Sequence, residues 1–189
     1  MKRGHKPLGW RYQRMRDQKG IDVTKDKDHQ QQARISSPTA RRDDAEIIDI
    51  SNYAPFLLNA VSNAWGRTTS TIYRRDFGLG LVDWRVISML NIEPNITARR
   101  ICDVIRLDKA AVSRSLKTLL EKNLLQFEQL SNDPRKRLWS LSDEGLKTHN
   151  ALLAVALSCE SDLVSNVSPD DLEVFLKVMR QMLTNIDPV

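Results

Sequence analysis

The sequence predicts a mainly helical fold with one small β hairpin, and three observations carry that expectation. Two short helical stretches with legible caps lie almost back to back between residues 97 and 121, an apolar/polar alternation flanks a polar tip directly after them, and longer amphipathic stretches stand at both ends. A helix-turn-helix followed by a hairpin is a winged helix, so the predicted architecture is a winged helix-turn-helix flanked by N- and C-terminal dimerisation helices.

The first helix starts near Tyr53. Tyr53, Phe56, Leu57, Ala60, Val61, Ala64 and Trp65 recur at the spacing of one helical face, and Pro55 fits only in the first turn, where its missing N–H costs nothing. "FGLG" (77–80) ends it. That Gly-x-Gly follows a helix with no strand before it, so it reads as a turn and not as a nucleotide loop. Leu81, Trp84, Ile87 and Leu90 mark a second helix, which "EPN" (93–95) stops.

Thr97 is placed to cap a third helix, with Ile96 and Ile101 as its hydrophobic staple and Ile101, Val104 and Ile105 expected to face inward. Asp108 repeats the device for a fourth, with Leu107 and Val112 as the staple and Val112, Leu116, Leu119 and Leu120 as the buried stripe. Lys109, Ala110, Ser113, Arg114 and Lys117 then fall on the opposite face. Small residues allow a backbone to approach a groove, and Lys and Arg reach base edges and phosphates.

"LLQFEQL" (124–130) and "RLWSL" (137–141) are the predicted strands. The tip between them combines turn formers, Ser131 to Pro134, with Arg135, Lys136 and Arg137, the composition of a wing that reaches a neighbouring groove or phosphate row. Ser142 caps a helix to about Val164. Ser168, Pro169, Asp170 and Asp171 open the last helix, whose stripe is Leu172, Phe175, Val178, Met179, Met182, Leu183 and Ile186. A winged helix does not need these terminal helices to cover its core. A dimer interface is the simpler explanation, with a cap on the chain's own core as the alternative.

Charge is unevenly divided. Residues 1–43 hold twelve Lys/Arg against five Asp, whereas the formal net charge of all 189 residues is only +5. Residues 99–137 form a second basic block, ten against five, inside acidic flanks. Such asymmetry points to a polyanionic partner. Residues 1–44 lack sustained periodicity and are expected to form a flexible basic arm ahead of one domain, 45–189. The arm is a DNA-contacting tail, a solvated leader, or a segment ahead of a later start at Met15.

The longest nearly unbroken apolar run, "ALLAVALSC" (151–159), is far below the roughly 20 residues that span a bilayer, and the basic start has no signal-peptide core. No membrane association and a cytoplasmic location are expected. Cys102 and Cys159 sit singly on apolar helical stretches, as buried structural thiols do, with a redox switch or disulfide as the alternative. His5, His29 and His149 are scattered, without metal-ligand spacing, and no nucleophile has a recognisable base, so neither an enzyme nor a cofactor is expected.

These residues resemble the MarR family of bacterial transcriptional regulators over about 50–188. The most specific piece is Asp-x-Arg followed by Leu, Leu and Thr/Ser, here Asp133, Arg135, Leu138, Leu141 and Ser142, running into "DEG"; "LDKAAVSRSLKTLLEKNLL" (107–125) is similar to the family's recognition helix leading into its wing. The resemblance implies a homodimeric, ligand-responsive repressor that reads a pseudo-palindrome in double-stranded DNA. Ser113, Arg114 and Lys117 would enter the major groove and Arg135 the minor groove, Asp133 would orient the wing or only stabilise its turn, and Arg99 and Arg100 would contact phosphate or face solvent. It also implies a small aromatic or phenolic ligand, for which Trp65, Trp84, Arg85 and His149 are the candidates, with ordinary packing the alternative for each. A winged helix used for protein interaction, its basic face meeting an acidic partner, is the rival reading.

Overall fold

The computed structural model describes residues 34–129 and 136–186, and the chain divides into two units, Met1–Val61 and Ser62–Val189. In the first, strands β1 (Thr39–Arg42) and β2 (Ala45–Ile48) pair antiparallel, with Thr39 opposite Ile48 and Arg42 opposite Ala45. The turn between them places Asp43 in the left-handed region (φ 54°), which a short polar side chain tolerates. Arg34 donates to the Asn52 carbonyl at 2.8 Å, and the Asp49 carboxylate accepts from the Asn52 side chain and the Ser51 backbone N–H, which together hold its pKa below the ordinary value. Composition alone assigns residues 1–44 to an arm, so that boundary falls inside this hairpin and β1 is a correction to it. Two four-residue strands, one of them "TARR", are too short and too polar for alternation to register. Residues 1–33 lie outside the described residues.

Helix α1 (Ala54–Phe77) has Pro55 in its first turn, as its missing donor requires. Gly78 ends it with a left-handed φ of 64°, while its N–H reaches the Arg74 carbonyl and that of Leu79 reaches Tyr73.

The second unit is built around α2 (Leu81–Ile92), α3 (Ala98–Ile105), α4 (Lys109–Glu121), β3 (Leu125–Gln129), β4 (Arg137–Leu141), α5 (Asp143–Leu163) and α6 (Pro169–Ile186). Val86, Ile87 and Leu90 of α2, Ile101 of α3, Val112 and Leu119 of α4, Trp139 of β4 and Leu152 of α5 close the core with Tyr73 and Leu79. The predicted caps are in place. Thr97 Oγ1 accepts from Arg100 N at 3.2 Å, Asp108 Oδ1 from Ala111 N at 2.9 Å, and Ser142 Oγ from Gly145 N at 3.0 Å.

One expected inward residue is not inward. Val104 remains 41% exposed, because α3 turns Ala98, Ile101, Cys102 and Ile105 toward the core, a spacing of three, four and seven that leaves Val104 beside the stripe. Helix α6 departs further: none of its residues is buried, and Phe175, Val178, Leu183 and Ile186 are exposed.

Candidate nucleic-acid interface

Helix α4 owes its orientation to its apolar side. Val112, Leu116 and Leu119 are buried, as the stripe predicts, and Lys109, Ala110, Ser113, Arg114 and Lys117 are all exposed on the other side. Lys117 lies 3.8 Å from Glu121 one turn on, an exposed pair that water and salt weaken. Arg114 has no acidic partner among the described residues. The connection from α3 is three residues long, and Arg106 adopts the left-handed conformation (φ 54°) that ends α3.

The two cations of α3 differ. Arg99 is almost fully exposed and only loosely paired with Asp103, at 3.9 Å. Arg100 is clamped by Glu93, with Nε 3.1 Å and Nη2 3.0 Å from Oε2, and this carboxylate holds the guanidinium pKa above its ordinary value. The structure therefore leaves Arg99 open to a phosphate and gives Arg100 a protein partner.

The wing is anchored from three sides. β3 and β4 pair with Phe127 opposite Trp139 and Gln129 opposite Arg137. Trp139 exchanges both backbone hydrogen bonds with Ile96, and Ser140 Oγ donates to Asn95 Oδ1 at 2.7 Å, so the residues just before α3 form a third, one-residue strand. At the far end Ser142 Oγ donates to Asn123 O at 2.7 Å. Gly145 packs so closely on the Leu124 carbonyl that a Cβ there would fall 1.9 Å from the oxygen.

Of the three basic wing residues, Lys136 is exposed. Arg137 is half-buried, with its guanidinium stacked 4.2 Å from the centre of the Phe127 ring, which in turn packs on Trp139 at 5.1 Å. It packs back across the strands at the tip end of the hairpin, opposite Gln129, whereas the sequence places it among the reaching residues of the wing. Its i+2 relation to Trp139 on one strand face was the available signal. Asp133 and Arg135 lie outside the described residues.

Of the four candidate ligand residues, two are in contact. Trp84 and His149 are stacked, ring centres 5.6 Å apart, and His149 is 5% exposed with Nδ1 3.0 Å from Asn150 Oδ1. Tyr73 packs on Trp84 from another side, its pKa raised chiefly by burial. Arg85 and Trp65 are half-buried. A separate open cleft of about 750 Å³ runs along α1, lined by Ser62, Asn63, Gly66, Arg67, Ser70, Thr71, Arg74 and Leu81; none of the four lines it.

Sequence reasoning missed Ser115, a buried hydroxyl on the inner side of α4, and its acceptor Asp83 in α2. The signal was a polar residue at the stripe position between Val112 and Leu119. Both cysteines are unpaired and half-buried, and burial pushes the Cys102 thiol above its ordinary pKa. Among the described residues no three His, Cys, Asp or Glu cluster as metal ligands, and no helix is long and apolar enough to cross a membrane.

A capped helix-turn-helix, an exposed cationic helix face and an anchored hairpin define a winged-helix DNA-binding protein. Comparison with known proteins narrows the class. The family model described as "MarR family" matches residues 77–136. The regulator TcaR of Staphylococcus aureus is 26% identical over 137 residues, covering 69% of this chain and 88% of its own. The crystal structure of a MarR/EmrR family transcriptional regulator from Acinetobacter sp. ADP1 superposes with a TM-score of 0.68 at 27% identity, covering 75% of this chain and all of that one. The S. aureus MepR–DNA complex shares the fold, with a TM-score of 0.61 at 18% identity over 70% of this chain and 96% of that one. Over residues 77–136 and in its fold the chain is thus similar to winged-helix transcriptional regulators of the MarR family.

Proposed function

We propose that the protein is a ligand-responsive repressor that acts as a homodimer in the cytoplasm and recognises a pseudo-palindromic operator. The observation that carries this reading is the exposed face of α4. Lys109, Ala110, Ser113, Arg114 and Lys117 are presented together by a helix whose opposite side is locked into the core. In this reading Ser113, Arg114 and Lys117 meet base edges in the major groove, Lys109 and Ala110 let the helix start approach the backbone, and Arg99 takes a phosphate. Arg100 reaches phosphate only by leaving Glu93. Lys136 and Arg135 serve the wing contact, Asp133 orients it, and Arg137 supports it from behind. The basic arm adds sequence-independent attraction to the flanking duplex.

Dimerisation is supported by the uncovered apolar stripe of α6. Ligand response draws on the family resemblance and on two places in this chain. The Trp84–His149 pair takes a flat ring only by opening its stack, whereas the cleft along α1 offers Arg67 and Arg74 to an acid without rearrangement.

The test is fluorescence anisotropy at physiological salt against a duplex selected by the protein from random DNA and a scrambled duplex of equal length. Roughly 10³-fold preference for the selected duplex is the expected result for a specific regulator. Arg114→Ala should weaken binding to it roughly 10- to 100-fold and change binding to the scrambled duplex far less. Equal binding to both duplexes by the unaltered protein would favour the interaction-module reading instead.

A further inference from the structure

The buried hydroxyl of Ser115 and the carboxylate of Asp83 form a contact that the apolar core does not need. Asp83 stands in the first turn of α2. Its Oδ2 accepts from the Gly80 backbone N–H at 2.8 Å, which ties down the start of a helix whose capping residue has no side chain. Its Oδ1 accepts from Ser115 Oγ at 2.6 Å, thirty-two positions along the chain. Ser115 is 4% exposed and shares the inner side of α4 with Val112, Leu116 and Leu119.

A hydroxyl at a core position costs free energy unless it is bonded, and alanine would fill the same place in the helix without that cost. What the hydroxyl adds is direction. The leucine and valine contacts of α4 are non-directional and tolerate small rotations of the helix about its axis, whereas a short, charge-assisted hydrogen bond does not. Ser115 directly follows Ser113 and Arg114, so rotation of α4 moves their side chains over the groove. With a helix radius of about 5–6 Å, a rotation of about 10° displaces the outer atoms by about 1 Å. That is enough to spoil a base-edge hydrogen bond, while attraction to phosphates barely changes. The same carboxylate grips the corner that follows α1, where Gly78 is left-handed and Leu79 is buried.

We infer that Asp83 and Ser115 are a positioning pair: one carboxylate references the rotation of α4 to the α1–α2 corner and thereby sets sequence discrimination without touching DNA. The inference rests on α4 being the reading helix.

The test uses the full chain and the two duplexes described above, with Ser115→Ala, Asp83→Ala and the double variant, each checked for folding by circular dichroism. The readout is the ratio of affinities for the selected and scrambled duplexes. A loss of folded protein lowers both affinities together and leaves that ratio alone. Ser115→Ala is expected to lower the ratio about tenfold, the worth of one such hydrogen bond, and the double variant should fall no further than Asp83→Ala. A ratio unchanged in Ser115→Ala, or effects of the two substitutions that multiply, would overturn the pairing. A wild-type protein that prefers neither duplex would instead remove the reading-helix assignment on which the pairing depends.

Discussion

Helices α4 and α6 are written in the same pattern and end in opposite circumstances. Both open on a capping side chain that accepts from the third residue on, Asp108 from Ala111 N and Ser168 from Asp171 N, and both carry an apolar stripe at helical spacing. The stripe of α4 disappears into the core, whereas that of α6 leaves Phe175 51% and Ile186 82% exposed. Periodicity therefore specifies that a helix has an apolar face, not what covers it. Within the second unit α4 is met by α2, α3 and β3, and its outer side is free to be cationic. For α6 the cover has to come from elsewhere, which is what makes its stripe an argument for a second copy.

The comparison breaks most visibly if the core side of α4 is cut. Leu119 is fully buried, and Leu119→Ala removes three heavy atoms from a site that cannot easily collapse; a loss of about 3 kcal/mol in denaturant unfolding is expected. A loss under 1 kcal/mol would mean that the lobe repacks freely and that α4 is not held as described. The matching cut on α6 is Phe175→Asp. It should leave the circular dichroism spectrum intact but raise the dissociation constant of the proposed homodimer roughly 30-fold or more, the effect of losing an interface anchor of about 2 kcal/mol. Light scattering across a dilution series measures this. An unchanged dimer would place the interface away from α6.

The same contrast explains what was legible in the sequence. The six helices, both wing strands and the caps Thr97, Asp108 and Ser142 follow from local signals, since a cap or a turn is chemistry within a few residues. The exposed cationic face of α4 was equally plain, because its buried side fixed the opposite one. Contacts across the sequence were not. Glu93 neutralising Arg100, Phe127 holding Arg137 and Asp83 bonding Ser115 each join residues seven or more positions apart, and nothing in the spacing of one partner names the other. Gly145 is the sharpest case. Its φ is ordinary, and its smallness is required only because the Leu124 carbonyl lies where a Cβ would stand.

The two caps give the finest test of the contrast, because they are chemically alike and each is worth about 1 kcal/mol. Asp108→Ala weakens a helix whose stripe belongs to the shared core, so the cost should be felt by the whole lobe: a lower melting temperature and faster hydrogen exchange at α2 and α4 amides alike. Ser168 also donates to the Asp171 carboxylate at 2.7 Å, yet no residue of its helix is fully buried within its own chain. Ser168→Ala should therefore speed exchange in the first turn of α6 and leave the protected amides of α2 and α4 as they were. Exchange quickening equally across the lobe in both variants would show that α6 unfolds together with the core, and its exposed stripe would then cease to be evidence for a surface awaiting a second copy.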